Sequence, residues 1–195
     1  MREAEHVFIN SGLHKTLESG EETISILEIG FGTGLNALVT WKEAKGKNLT
    51  ISYTAVEAYP VALEEVEKLN FAEELQEEGA REFFRTIHNL PWETIKTINS
   101  KFQLQKQKKF FQEISDIEKY NLVYFDAFGA RVQPELWTEE IFGIMFNALK
   151  PGGILVTYAA KGSVRRAMQT VGFTVERLPG PPGKREMLRA TKPVH

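Results

Sequence analysis

A chain of 195 residues, 42% hydrophobic and 26% charged, has the balance of one globular domain with a sizeable core. The absence of cysteine excludes disulfides, thiolate metal sites and a cysteine nucleophile, and fits a reducing, cytoplasmic setting. No apolar run approaches the ~20 residues of a bilayer span and no basic segment leads an apolar one as in a signal peptide; His6, His14, His88 and His195 lack zinc-site spacing, so neither a membrane nor a metal is expected.

Along the chain, residues 1–23 fit no single pattern. "HVFINSGL" reads as a strand, a helix start or an arm over a pocket. "ISILEIG" reads as a strand, "LNALVTWKEA" as a helix with Leu35, Leu38, Val39 and Trp41 among its apolar residues, and "LTISYTAVEAY" as a second strand. From Pro60 the pattern is helical and acid-rich, with the proline in the first turn and a break near Gly79, to about His88. "KFQLQKQ" and "NLVYFDAF" are strands, 134–149 a helix, "KPGG" a turn and "ILVTYAA" a buried strand. "SVRRAMQTVG" is a short helix closed by Gly172, and "FTVERL" and "REMLRAT" form a hairpin-like pair across "PGPPGK". The alternation predicts one α/β domain over 1–195, a mostly parallel sheet covered on both faces with an antiparallel pair at its edge.

The formal net charge of −2 is unevenly spread: residues 150–195 balance to +7 and the rest to −9. A basic end on an acidic body is either a lysine-rich solvated surface or a face that meets an anionic partner.

Four features fall at the carboxyl ends of strands, where ligands bind in parallel sheets. Gly30-Phe31-Gly32-Thr33-Gly34 has GxGxG spacing, not the GxGxxG of the dinucleotide fingerprint. It is either a tight turn or a bare backbone that a ligand touches, with helix N–H groups behind it. Glu57 ends the second strand, where an acid grips ribose hydroxyls; otherwise it is a surface acid beside a turn. Glu28, two residues before Gly30, suits a ligand amine or the backbone N–H groups of the loop. Asp126 in "YFDAFG" ends an apolar strand, where an acid is costly unless it faces a cleft or caps a helix.

The pieces "EIGFGTGLNAL", "VEAYP", "YFDAFGARVQPELWT", "LKPGGILVTYAAKGSVRRAMQTVGF" and "PGPPGKREMLRA" together resemble the MnmC-type tRNA 5-methylaminomethyl-2-thiouridine methyltransferases. The resemblance implies a Rossmann-like class I fold with a seven-stranded sheet, S-adenosylmethionine as donor and the 5-aminomethyl group of a wobble (2-thio)uridine in the tRNA anticodon loop as acceptor. It implies a donor shell of Glu28, Gly30, Phe31, Gly32, Thr33, Gly34, Asn36, Glu57 and Asp126, with no metal and no flavin. Asp126, with main-chain carbonyls around Phe128, would accept N–H bonds from the amine as it becomes cationic. Tyr124, Phe125, Phe128 and Tyr158 are candidates to wall the site, Phe128 as the stacking residue. Arg131, Lys161, Arg165, Arg166, Lys184 and Arg185 would meet RNA on the rim.

Relatives in this family often carry a flavin-dependent oxidase half. Its absence here implies the stand-alone transferase and a separate oxidase acting upstream, and the longer stretch that the family usually carries before "EHVFINSGL" implies a trimmed start. The usual acid of the third strand that contacts adenine is not evident among Lys106, Lys108 and Lys109; the role passes to backbone groups, Glu113 or Asp116. The rival readings are a small-molecule N-methyltransferase or aminopropyltransferase on the same fold, and a non-catalytic RNA-binding module.

Overall fold

The computed structural model describes residues 1–195. Its centre is set by three runs of sequence rich in β-formers. β1 (Thr23–Ile29) lies parallel between β2 (Thr50–Glu57) and β5 (Tyr120–Phe125), with all of β5 buried. β4 (Phe102–Lys108) extends the sheet beyond β2, and β6 (Leu149–Thr157) extends it beyond β5, both in parallel. β8 (Glu186–Thr191) and β7 (Thr174–Pro179) then close that edge antiparallel, as the hairpin-like pair predicted.

The full order is β3-β4-β2-β1-β5-β6-β8-β7, eight strands where seven were expected. The extra strand is β3 (Ile95–Asn99), antiparallel to β4 at the far edge. It is largely exposed and so lacks the apolar alternation that marks a half-buried strand. The chain builds one side of the sheet outward from β1 and then returns to build the other, so the order reverses between β1 and β5. A crevice opens at such a switch point, outside the carboxyl ends of the strands.

Apolar side chains cover both faces. One face packs against α3 (Leu35–Lys47) and α6 (Ala80–Asn89), whose Trp41 and Phe83 rings stack at 4.8 Å. The other packs against α7 (Glu139–Ala148) and α8 (Gly162–Thr170). The N-terminal segment resolves as helix. α1 (Arg2–Ala4), a π-wound stretch Glu5–Leu13 and α2 (His14–Leu17) run on without a break. Gly12 makes this possible, since a Cβ there would lie 2.9 Å from Val156 Cγ2 on the sheet.

Three local expectations change. The acid-rich helix after Pro60 is three short ones, α4 (Leu63–Val66), α5 (Phe71–Leu75) and α6; Pro60 precedes the Ala62 N-cap and is outside the first turn. Gln76 and Gly79 interrupt it at φ +52° and +85°. "KPGG" is a bulge inside β6, its Gly152 N–H bonded to the Lys192 carbonyl at 2.8 Å. The predicted 134–149 helix is a 3-10 turn, Pro134–Leu136, followed by α7, whose first turn is capped by Thr138. No helix is long and apolar enough to cross a membrane.

Candidate active site

A cavity of about 670 Å³ opens at the switch point. Its floor is the loop after β1. Gly30, Gly32 and Gly34 have φ of +88°, +51° and +79°, in the left-handed region that only glycine adopts freely. A Cβ on Gly30 would stand 2.6 Å from the Asp126 carbonyl, so the close approach of the β1 and β5 ends requires glycine. A Cβ on Gly32 would meet nothing within 4 Å; here the bare backbone faces the cavity.

Glu57 leaves β2 at the cavity wall and accepts the N–H of Gly32 and of Tyr59, each at 3.1 Å. Each oxygen keeps a lone pair for a ligand hydroxyl. Asn36, in the first turn of α3, donates from Nδ2 to Asp126 at 2.8 Å and to Glu28 at 3.0 Å. Asp126 lines the cavity. Burial pushes its carboxyl up to about 6; the Asn36 bond opposes this, the Glu3 carboxylate adds to it and the Lys184 ammonium draws it back.

Glu28 does not reach the cavity. It is fully buried behind it, takes the Tyr53 hydroxyl at 2.7 Å as well as Asn36, and burial raises its pKa well above the usual carboxylate range. It therefore offers no contact to a ligand amine or to loop N–H groups. Its place is that of an anchor for Asn36. Phe31 and Thr33 line the cavity from the glycine loop, and Asn36 lines it from the first turn of α3.

His88 was not legible as part of this site. Its Nε2–H donates to the Thr33 carbonyl at 2.9 Å, and a Cβ on Gly34 would stand 2.9 Å from the same nitrogen, so the ring props the glycine loop from behind. Burial, offset by the Thr33 bond and reinforced by Lys106, pushes its pKa down to about 4, so the imidazole is neutral. The signal available was one histidine at the end of a helix with a buried face.

On the side expected for adenine, Tyr59, Val61, Phe110, Phe111 and Gln112 line the cavity, with the Tyr59 and Phe110 rings edge to face at 6.1 Å. Glu113 instead accepts the Phe110 N–H, and Asp116 takes Lys119 and Tyr120; neither lines the wall. Of the four aromatic candidates, Tyr124 and Phe125 are wholly buried core residues, because their strand is covered on both faces. Tyr158 lines the cavity and Phe128 stands 68% exposed at its mouth. The carbonyls near Phe128 are engaged: Ala127 accepts the Tyr158 hydroxyl at 2.6 Å and Phe128 accepts Trp137 Nε1–H at 2.7 Å.

None of the rim cations lines the cavity. The β6–β8 register puts Leu188 beside Thr157, which brings the β7–β8 loop to the carboxyl end of β6 and the start of α8. Lys184 there is paired with Glu3 and lies 4.2 Å from the Tyr158 ring. Arg131, Lys161, Arg166 and Arg185 are exposed and make no ion pair, and Arg165 is half-buried with Nε unpartnered.

Known proteins resemble this chain in sequence and in fold. The chain is 31% identical over 200 residues to a tRNA 5-methylaminomethyl-2-thiouridine biosynthesis bifunctional protein MnmC of Leptospira borgpetersenii, covering 96% of this chain and 30% of that protein. It is 28% identical over 200 residues to the protein of the same name from Polaromonas naphthalenivorans, covering 97% and 31%. The chain thus spans about a third of the length of these relatives. The fold is that of MNMC2 from Aquifex aeolicus, with a TM-score of 0.75 at 24% identity over 99% of this chain and 60% of that one. It is also that of spermidine synthase from Thermotoga maritima, with a TM-score of 0.59 at 14% identity over 100% and 60%. A profile of one family matches residues 72–193, more than half of the chain, and by that match the chain belongs to the S-adenosyl-L-methionine-dependent methyltransferases.

Proposed function

We propose that this chain methylates the amine of a 5-aminomethyl group on the wobble (2-thio)uridine of a tRNA anticodon loop. The observation that carries the reading is Asp126: a carboxylate held by Asn36 where the cavity passes from the glycine loop to the open rim at Phe128. The names of the MnmC relatives, matched along 96% of the chain, supply the substrate class.

The residues present fit the donor. The cavity is within the ~300–1,000 Å³ range of small-molecule sites, Gly32 leaves its backbone bare, and Glu57 retains lone pairs for ribose hydroxyls. In this reading Glu57 holds the ribose, the Gly30–Gly34 backbone and Asn36 the amino-acid end, and Tyr59, Phe110 and Gln112 the base. When bound, S-adenosylmethionine supplies an electrophilic methyl group on a sulfonium. The protein's task is to position the acceptor in line with it. Asp126 accepts an N–H bond from the neutral amine, which aims the nitrogen lone pair away from the carboxylate. It stabilises the positive charge that grows on nitrogen and then takes the proton. The Ala127 and Phe128 carbonyls each accept one bond already, from Tyr158 and Trp137, and the main part of this role falls on the Asp126 side chain. Phe128 stacks on the unpaired base, while Arg131, Lys161, Arg166 and Arg185 meet the phosphates. In this reading the site residues form one domain that works in the cytoplasm, on tRNA from which a flavin-dependent oxidase has removed a carboxymethyl group.

The test is incubation with methyl-labelled donor and tRNA carrying the 5-aminomethyl group, followed by nucleoside analysis. Label on the wobble nucleoside is expected. Donor binding without transfer to that nucleoside, or turnover of free amines without RNA, would overturn the reading.

A further inference from the structure

A second cavity of about 230 Å³ lies beside the first and shares Phe31, Gly32 and Val61 with it. Leu63, Leu90 and Trp92 form its apolar side, and His88, Asn89 and Lys106 its polar side. This lysine breaks a pattern. Alternate residues of β4 point to one face of the sheet. Phe102 and Leu104 on that face join the apolar core, and Lys106, 2% exposed, continues the same stripe with an ammonium.

Lys106 lacks a counter-charge. Its Nζ donates to the His88 carbonyl at 3.2 Å and lies 4.7 Å from the Trp92 ring and 5.7 Å from the Phe31 ring, but no carboxylate pairs with it. Lys192, the other buried lysine, has both the Leu149 carbonyl at 2.9 Å and the Glu118 carboxylate at 3.6 Å. An ammonium has three N–H donors, and Lys106 spends one on a protein acceptor. Burial alone pushes its pKa down to about 8, which still leaves it mostly protonated at neutral pH. No acid lines the cavity and His88 is neutral, so the ammonium is its one charge.

We propose that this cavity binds a small organic carboxylate with an apolar body, the carboxylate on Lys106 Nζ and the body against Trp92, Leu63 and Leu90. Beyond the polar side, the apolar half of the wall gives an inorganic anion little in exchange for its hydration, and a neutral apolar molecule leaves the ammonium unpaired. At ~30 Å³ per water-sized group the cavity takes roughly eight non-hydrogen atoms, close to the size of benzoate, which has about nine. The inference is independent of the tRNA reading.

Benzoate is the probe, titrated calorimetrically into protein saturated with S-adenosylmethionine so that the first cavity is filled. Saturable binding is expected, weaker by at least about tenfold for benzamide, as loss of a charge-assisted hydrogen bond implies. Lys106→Met should weaken benzoate binding by at least the same factor. Leu63→Trp, at the exposed edge of the cavity, should block it while leaving Lys106 and the sheet intact, and decides the matter if Lys106→Met does not fold. Absence of saturable binding, equal affinity for benzamide, or undiminished affinity in a folded variant would overturn the proposal.

Discussion

Asn36→Leu keeps the side-chain volume and removes both N–H bonds, the one to Asp126 at 2.8 Å and the one to Glu28 at 3.0 Å. The bond to Asp126 favours its charged form, so its loss favours the neutral acid. A hydrogen bond to a charged group is worth about 1.5–3 kcal/mol and a pKa unit about 1.4 kcal/mol, so the Asp126 pKa rises by about one to two units. From a starting value of about 6, that brings it to about 7–8. The ionised fraction at neutral pH falls from roughly nine-tenths to half or less. The assay is kcat/KM for methyl transfer against pH, at saturating donor, from about pH 5 to 9. Wild type should show an ascending limb near 6, and the variant should show the limb displaced upward, with most activity regained at the alkaline end. A uniform loss at every pH would mean that Asn36 acts by positioning the bound donor and not through the Asp126 ionisation. An unmoved limb would mean that Asp126 ionisation does not govern the reaction.

Glu57→Ala should weaken donor binding by roughly ten- to a hundredfold in calorimetry; unchanged affinity in a folded variant puts the ribose elsewhere. Lys161→Ala with Arg185→Ala should lower tRNA affinity and flatten its log–log salt dependence by about 0.7 per lost phosphate contact, with donor affinity unchanged; an identical slope removes the pair from the RNA surface. His88 is held neutral with its pKa near 4 against 6.5 in the unfolded chain. Its stabilisation is therefore full above 6.5 and is lost as pH falls from there through 4. His88→Gln, which keeps a donor for Thr33 but does not titrate, should lose less stability than wild type over that window in denaturant melts; parallel curves would refute it.

The glycine loop, Glu57 and Asp126 were legible because their cues are local: a run of β-formers, then residues whose backbone or charge suits only a strand end. Chain order likewise announced the parallel centre, since β1, β2 and β5 are apolar runs and the helices between them carry their own period. β3 escaped because an exposed edge strand has no buried face to impose alternation. Residues 2–17 escaped because their helix is decided by what it packs on, Gly12 against Val156 and Phe8 against Tyr124 at 5.0 Å. Glu28 has the composition of a ligand-binding acid, but its side chain meets Tyr53 and Asn36 behind the cavity. Lys184 has the look of a phosphate contact, yet it pairs with Glu3, 181 residues away. Local pattern determines which residues end strands and turn loops; which way an acid faces, and which charge is already answered, depend on partners that only the folded chain brings within a few ångströms.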